Sequence, residues 1–260
     1  MNIIGKSEVT AHQMAEYLIA KNPSSKPWAL EYAQLYLEEG NIEGVRGDGA
    51  WIQSCKETGN FKFVGGTAVT FDQNNFCGLG VTKMGLKGHS FSTPRLGIRA
   101  QIQHLKGYAT SSPLKQVCVD PRYNYINPKG KAPRFEDLAG KWAVPGYDTK
   151  KASSLEDAMK KGIGYGFDII AGINAMKRIS ANSSCTEELK YYRVQCGAFS
   201  SKINADALAI KLKLSGFNTI VKKYDGLYKV QIGAFSSMLN AENMLKQVKS
   251  KGFDAFITYC

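Results

Sequence analysis

The sequence predicts an α+β protein of two unequal domains. Over residues 1–179, apolar side chains recur every three or four positions, which is typical of helices packed on a common core. Between residues 60 and 92 this period is lost, and glycines interrupt short apolar pieces. From residue 191 the chain repeats itself with an offset of 36. Domains are therefore predicted at 1–179 and 191–260, with a linker at 180–190.

Capping residues and helix breakers place the first helices. Thr10 is a suitable N-cap for a helix that ends near Ala20. Pro27 suits the first turn of a second helix, which Gly40 is predicted to end. A third helix follows from about Gly44, and Gly59 is predicted to end it.

The third helix carries the candidate catalytic residue, Glu57. One side of this helix has four residues at the spacing i, i+3, i+4, i+7, namely Ala50, Gln53, Ser54 and Glu57. Glu57 therefore lies in the last turn, where the negative end of the helix dipole disfavours a second negative charge. Burial in a cleft acts in the same direction, so both effects favour the protonated carboxyl that a general acid needs.

A fourth helix is predicted to begin at Thr93 and Pro94. Its inward side carries the apolar residues Ile98, Ile102, Leu105 and Ala109. Its outward side is predicted to carry Arg99, Gln103 and Lys106. His104 is predicted to be a hydrogen-bonded structural residue, and a short helix over 135–144 is predicted to carry Trp142.

Several separated blocks resemble the signature of glycoside hydrolase family 73, the bacterial and phage glucosaminidases. These blocks lie at 56–61, 74–80, 99–106, 120–122, 137–147 and 165–166. The resemblance implies a lysozyme-like, mainly helical catalytic domain with a small lobe of strands and loops. It also implies that Glu57 is the general acid that cleaves peptidoglycan after N-acetylglucosamine, and that Tyr165 orients the sugar. The residues implied to bind substrate are Asn74, Asn75, Phe76, Gln101 and Trp142.

The sequence does not identify the group that stabilises the positive charge at C1 from the opposite face of the sugar. A second carboxylate could activate water or act as a nucleophile, and the sequence offers Asp72, Asp120 and Asp148. Participation of the substrate's own acetamido oxygen is the preferred alternative. None of these routes needs a metal or a cofactor.

Composition favours a polyanionic partner. The formal charge is +12, and both halves of the chain contribute to it without a Lys/Arg-rich block. A dispersed basic surface fits an anionic wall polymer. The six cysteines form no CxxC pair and no zinc-ligand cluster, which indicates reduced thiols in a protein made in the cytosol.

The C-terminal repeat predicts a β-α-β-β-α-β sheet with both helices on one face. Within the repeat, residues 192–201 match residues 228–237, and the segments 204–217 and 240–253 follow at the same offset. Asn204 and Asn240 are the predicted helix caps. Side chains alternate along a strand, so Tyr192, Val194, Cys196, Tyr228, Val230 and Ile232 are predicted to face the helices.

This repeat resembles the SPOR domain, a peptidoglycan-binding module whose open sheet face holds glycan strands that lack stem peptides. The resemblance implies that Gln195, Gln231, Arg193 and Lys229 bind glycan from that face. An RNA-recognition module has the same topology but needs stacking aromatic residues at these positions. Nucleic acid is therefore not expected as a partner.

Together the two domains predict a phage endolysin whose partner is bacterial peptidoglycan. No signal-peptide pattern and no membrane-spanning run is seen, so membrane insertion is not expected. The protein is expected to stay in the host cytoplasm until a holin releases it, and then to act on the cell wall. The alternatives are a lytic transglycosylase, a bacterial autolysin, or a wall-binding protein without catalytic activity.

Overall fold

The computed structural model describes residues 1–64, 68–81, 87–180, 191–235 and 238–259, apart from the side chain of Leu239. The chain divides into two compact units, Met1–Ser183 and Ser184–Cys260. Residues 181–190 of the predicted linker lie outside the described residues. Each unit is described by itself.

The first unit is mainly helical, as predicted. Its α-helices are α1 (Ala11–Lys21), α2 (Ala29–Glu43), α3 (Gly47–Glu57), α4 (Pro94–Ala109), α5 (Leu155–Lys160) and α6 (Tyr165–Lys177). Single turns of 3-10 helix lie at Pro23–Ser25, Phe71–Gln73, Tyr123–Tyr125 and Phe135–Leu138. Two predicted caps are confirmed, because the side chains of Thr10 and Thr93 accept hydrogen bonds from the first turns of α1 and α4.

The predicted end of α2 at Gly40 is wrong. The helix continues to Glu43, and Gly44 ends it in the left-handed conformation with φ of +77°. Consequently α3 begins at Gly47, three residues later than predicted. Gly40 serves packing instead, since a Cβ there would lie 2.7 Å from the carbonyl oxygen of Val45.

The strands predicted for the small lobe are absent from the described residues 60–64, 68–81 and 87–92, which contain one 3-10 turn. Backbone conformations with positive φ explain this, because a residue such as Asn74, with φ of +52°, cannot continue a strand. The helix predicted over 135–144 is also reduced to the turn Phe135–Leu138. Gly140, with φ of +73°, directs the chain away from a helical path before Trp142.

The predicted outward side of α4 is wrong for two of its three residues. Gln103 and Lys106 are buried, whereas Arg99 remains partly exposed. A segment of the following loop covers this side of the helix, because Gln103 donates to the carbonyl oxygen of Val117 at 2.9 Å. Lys106 donates to the buried carboxylate of Glu43 on α2 at 2.8 Å. The predicted inward residues of α4 are buried as expected.

The second unit has the predicted β-α-β-β-α-β order. Its elements are β1 (Tyr192–Phe199), α7 (Lys202–Leu214), β2 (Thr219–Tyr224), β3 (Leu227–Phe235), α8 (Met238–Ser250) and β4 (Phe256–Tyr259). The strands form one antiparallel sheet in the order β2-β3-β1-β4. Asn204 and Asn240 lie inside the helices and do not cap them, because α7 already begins after Ser201.

Val194, Val230 and Ile232 form the core of this unit with residues of both helices, and Cys196 and Tyr228 pack at its margin. This confirms the predicted helix-facing side of the sheet for these residues. Tyr192 lies outside that core and packs against Tyr259, with 4.6 Å between the ring centroids.

The described cysteines are unpaired thiols. Cys55 and Cys77 are buried in the first unit, Cys118 is exposed, and Cys196 is partly buried. Cys185 and Cys260 lie outside the described residues. Among the described helices, none combines the length and the apolar character that crossing a membrane requires.

Candidate functional site

Glu57 is the last residue of α3, as predicted, and the residue is partly exposed. Two donors hold it. The indole Nε1 of Trp142 donates to Oε1 at 3.1 Å, and the hydroxyl of Tyr165 donates to the same oxygen. The structure therefore brings together the predicted acid, the predicted orienting tyrosine and one predicted substrate-binding residue.

Both hydrogen bonds end on Oε1, which has a chemical consequence. An indole N–H can only donate, so Oε1 of Glu57 must act as an acceptor towards Trp142. Within the described residues, Oε2 has no hydrogen-bond partner. Oε2 can therefore carry the proton of a neutral Glu57 carboxyl group without disturbing the two hydrogen bonds to Oε1.

Burial raises the pKa of Glu57 above its ordinary value. The hydrogen bonds from Tyr165 and Trp142 and the charge of Lys56 act in the opposite direction and only partly offset the burial. The position at the negative end of α3 adds to the preference for the neutral form. A larger fraction of Glu57 is thus protonated near neutral pH than for an exposed glutamate.

A buried polar chain supports this carboxyl group from below. Gln53 donates to the Tyr165 hydroxyl at 3.2 Å and accepts from Gln101 at 2.9 Å. Gln101 also accepts from Ser54 at 2.8 Å and from Tyr36 at 3.0 Å. Each polar group in this series of hydrogen bonds has a partner, so the series fixes the position of the Tyr165 hydroxyl.

Gln101 therefore has a different position from the one predicted. It was expected to bind substrate, but it is completely buried between α3 and α4. It contacts the side of α3 on which the residue spacing places Ser54 and Gln53. We assign it to holding α3 and Tyr165 in position.

His104 and Asp120 support Trp142 from the other side. The Nδ1 atom of His104 and the carboxylate of Asp120 are hydrogen-bonded at 2.6 Å, which confirms the predicted structural role of His104. The His104 ring meets the Trp142 ring edge-on, with centroids 5.2 Å apart. Tyr108 packs against the same indole at 5.6 Å. These rings fix the direction of the Trp142 N–H towards Glu57.

Asn74, Asn75 and Phe76 were predicted to line the cleft, and the structure places two of them below the surface. Phe76 is completely buried among aromatic rings. Asn75 is buried and binds the backbone of Leu79 in both directions at 2.9 Å. Asn74 is partly exposed, and its amide donates to Phe91 at 2.8 Å. Direct glycan contact by Asn75 or Phe76 conflicts with this burial, and both residues shape the loop instead.

The three candidate second carboxylates occupy different environments. Asp72 is exposed in the turn Phe71–Gln73. Asp120 is buried, with one oxygen engaged by His104 and the other by the backbone of Arg122 at 2.8 Å. Its oxygens are thus engaged in structural contacts rather than free to activate water.

Asp148 shares a cavity of about 570 Å³ with Tyr165. Lys56 and Lys151 also line this cavity. Lys56 pairs with Asp168 at 2.6 Å, and Lys151 lies 3.6 Å from Asp148. Of the three carboxylates, Asp148 is the one that lines the same cavity as Tyr165, which contacts Glu57. In the described part of the chain, no group of His, Cys, Asp and Glu side chains is arranged to hold a metal ion.

The open face of the sheet in the second unit carries the other predicted site. Strand register places Ile220, Gln231, Gln195 and Phe256 in one row across β2, β3, β1 and β4. Gln195 and Gln231 were expected to bind glycan from the open face, but they are only 6% and 8% exposed and hydrogen-bond each other at 3.4 Å. The apolar ends of the row are open, with Ile220 49% and Phe256 54% exposed.

Basic residues flank this row. Lys229 lies opposite Lys222 on β2, and its ammonium group lies 4.6 Å from the ring centroid of Tyr224. Arg193 lies opposite Thr258 on β4. The face therefore combines a polar pair, exposed apolar side chains and positive charge, which suits a sugar polymer that carries carboxylates.

Sequence reasoning missed Gln53 as a support for Tyr165 and Phe256 as part of the open face. The spacing of Gln53 and Glu57 on one side of α3 was a usable signal for the first. Phe256 could have been found by continuing the strand alternation into β4.

A family model described as "SPOR domain" matches residues 188–259. This part of the chain is a SPOR domain. The solution structure of the peptidoglycan binding domain of the B. subtilis cell wall lytic enzyme CwlC is 51% identical to part of this chain. The match covers 27% of this chain and 90% of the CwlC domain, with a TM-score of 0.26.

An uncharacterized protein of Borreliella burgdorferi is 38% identical over 154 residues, which is 59% of this chain and 74% of that protein. The chain belongs to the same family as this Borreliella protein. The alignment is longer than the second unit, so it includes part of the first unit.

Proposed function

We propose that the protein binds peptidoglycan through its SPOR domain. The observation that carries this proposal is the match to the SPOR domain over residues 188–259, the whole of the described sheet. The open sheet face supports it, because Lys229 and Arg193 place positive charge beside exposed apolar side chains. Muramic acid carries a carboxylate when its stem peptide is removed, and sugar rings have apolar faces.

Replacing Lys229 by glutamate is expected to weaken binding of the full chain to purified sacculi about tenfold at low salt. The reason is that the substitution puts a negative charge where the anionic glycan is expected to bind. Cosedimentation with sacculi measures the effect, and the difference from wild type should shrink as salt is raised.

Lys251→Glu is the matched control, because Lys251 lies in the exposed turn after α8 and makes the same change in net charge. The control should bind nearly as well as wild type. Equal losses in both variants would mean that net charge governs binding, and the sheet face would then lose its assignment.

We further propose that the first unit hydrolyses the glycan, with Glu57 as general acid. The observation that favours this function is that the partly exposed residue Glu57 holds a carboxyl group with a raised pKa in contact with Tyr165 and Trp142. A wall-binding protein without catalytic activity is the alternative, and it requires only the SPOR domain.

In the proposed reaction, the Oε2 proton of Glu57 passes to the leaving oxygen of the β-1,4 bond between N-acetylglucosamine and N-acetylmuramic acid. Positive charge develops at C1 as the bond breaks. In one route the acetamido oxygen of the substrate bonds to C1, and a water that gives its proton to the Glu57 carboxylate then opens the resulting oxazoline ring. In the other route a water that gives its proton to Asp148 bonds to C1 directly. Tyr165 and Trp142 hold the Glu57 carboxylate that remains. In a lytic transglycosylase, a hydroxyl group of the muramic acid itself would instead attack the C1 of that same sugar and give an anhydro-muramic end.

Mass spectrometry of borohydride-reduced fragments tests the reaction. Digestion of purified peptidoglycan by the intact protein should give reduced N-acetylglucosamine ends. Anhydro-muramic ends would show that the protein is a lytic transglycosylase and not a hydrolase. A complete absence of new ends would leave the wall-binding alternative.

Trp142→Phe is expected to move the alkaline limb of the pH–activity profile to higher pH. The indole N–H lowers the pKa of Glu57, so its removal raises that pKa further. A general acid works while protonated, and activity then persists to higher pH.

The profile of kcat/KM for soluble glycan fragments measures the shift. Trp28→Phe is the control, since Trp28 packs against Tyr32 and Phe61 and does not contact Glu57. An alkaline limb at the same pH in Trp142→Phe and wild type would show that the Trp142 hydrogen bond does not control the pKa of Glu57.

The biological setting is a separate proposal. The protein acts as an endolysin that stays in the host cytoplasm until a holin opens the membrane, and then reaches the cell wall. A bacterial autolysin is the alternative. Expression in a bacterial cytosol should cause lysis only when a holin is coexpressed, and lysis without one would favour independent export.

A further inference from the structure

The outer side of α7 carries an apolar stripe that the SPOR fold does not use. Ile203 is 79%, Ile210 58% and Leu214 84% exposed, and Ala207 between them is also exposed. These residues follow at i, i+4, i+7, i+11, so they form one continuous line along the helix. The opposite side of α7 packs into the core through Ala205, Ala209 and Leu212.

The internal repeat provides a comparison within the same domain. At the buried positions the two helices match, with Ala205 corresponding to Ala241 and Leu212 to Val248. At the outer positions they differ. Ala207, Ile210 and Leu214 correspond to Asn243, Lys246 and Ser250, all exposed on α8. The counterpart of Ile203 is Leu239, whose side chain is not described. The fold therefore tolerates polar residues along most of this line, and α7 departs from them.

The width of the stripe selects among possible partners. A helix that lies on a lipid surface has a broad apolar face, commonly with aromatic residues. The α7 stripe is one residue wide at each turn, and α7 contains no aromatic residue. A narrow line of this kind is the seam of a two-helix coiled coil.

We propose that α7 pairs with α7 of a second copy of this chain in antiparallel orientation. In the register that fills the seam, Ile203 lies opposite Leu214 of the second copy, and Ala207 lies opposite its Ile210. In the same register Asp206 and Lys213 of the second copy flank the seam on the same side, offset by two positions from the level of the core pairs, and twofold symmetry repeats this contact. Charge complementarity thus accompanies the apolar fit. Asp206 is accessible for it, because its contact with Lys202 at 2.7 Å is on the surface.

Pairing through α7 leaves the open sheet faces free, because both helices pack on the other side of the sheet. A dimer therefore presents two binding faces. If the proposed peptidoglycan binding holds, two linked faces raise the avidity for a polymer without any new contact. A seam of one short helix is small compared with stable interfaces, so the dimer is weak and depends on concentration.

Sedimentation velocity of the full chain over a range of concentrations tests the pairing. Wild type should shift from monomer to dimer as concentration rises. Ile210→Lys with Leu214→Ser copies the residues of α8, and this variant should stay monomeric with an unchanged circular dichroism spectrum. Lys246→Ala with Ser250→Ala on α8 is the matched control and should dimerise like wild type. A monomeric wild type at every concentration would overturn the proposal.

Charge exchange identifies the partner as a second copy. Asp206→Lys alone and Lys213→Asp alone should each weaken dimerisation several-fold, since each brings like charges together. The double variant should restore it, because the opposite charges then meet again with their positions exchanged. Restoration is specific to self-pairing, so a double variant as weak as the single ones would overturn the antiparallel register. If wild type stays monomeric but cosediments with anionic vesicles, the partner of the stripe is a lipid surface and not a second copy of this chain.

Discussion

Glu57→Gln is expected to slow glycan cleavage severely while leaving binding to sacculi unchanged. Glutamine has no acidic proton at Oε2, so the leaving oxygen departs without protonation, and activity falls by about 10²–10⁴-fold. The amide oxygen can still accept from Trp142 and Tyr165. The fold and the SPOR domain should therefore be unaffected. Release of reducing ends from purified peptidoglycan measures activity, and cosedimentation measures binding.

Glu156→Gln is the matched control for this experiment. Glu156 lies on α5, is highly exposed and forms a surface pair with Lys160 at 2.8 Å. It should retain full activity. Equal activity of Glu57→Gln and wild type would exclude Glu57 as the acid, even if new reducing ends show that the protein is a hydrolase.

Lys106→Ala is expected to lower the free energy of unfolding of the first unit by about 3 kcal/mol. Lys106 and Glu43 form a buried ion pair at 2.8 Å between α4 and α2. Removing the lysine leaves the Glu43 carboxylate with only the backbone donors of Lys115 and Gln116, at 2.9 and 3.0 Å. Denaturant unfolding followed by tryptophan fluorescence measures this unit, because Trp28, Trp51 and Trp142 all lie within it.

The pH dependence distinguishes this ion pair from simple packing. Burial raises the pKa of Glu43, but the hydrogen bonds from Lys106 and the two backbone amides outweigh burial and bring the pKa below the ordinary 4.5. A lowered pKa stabilises the fold above the unfolded value and loses this effect as pH falls through the folded value. The difference between wild type and Lys106→Ala should therefore be largest near neutral pH and shrink below about pH 4.5.

Lys160→Ala breaks the exposed pair with Glu156 and should change the free energy of unfolding by less than about 0.5 kcal/mol. A similar loss in both variants would show that the lost helix packing or propensity, and not the buried charge, governs stability.

Local signals in the sequence were sufficient for most helices and for the position of Glu57. Thr10 and Thr93 cap helices because their hydroxyl groups satisfy backbone donors a few residues away. Glu57 lies at the end of α3 because the chain turns at Thr58 and Gly59, the latter with φ of +61°. The repeat predicted the β-α-β-β-α-β order of elements along the second unit, because each copy carries its own strand and helix pattern.

Contacts between distant segments explain what the sequence did not reveal. Periodicity assumes that a helix has one buried side, but the loop that carries Val117 covers a second side of α4 and buries Gln103. Strand pairing places Gln195 directly beside Gln231, where the two side chains hydrogen-bond, and composition cannot indicate this contact. The Asn75 side chain hydrogen-bonds the backbone of Leu79 within the same loop, and this contact is visible only in the folded structure.

The buried thiols have a consequence for the chemical durability of the first unit. Burial raises the pKa of both Cys55 and Cys77, so the thiolate that reacts with oxidants is scarce at either position. Peroxide and disulfide exchange both need that thiolate and access to it. Passage from a reducing to an oxidising environment should therefore leave these two side chains covalently unchanged, and the helices around Glu57 keep the same packing in both.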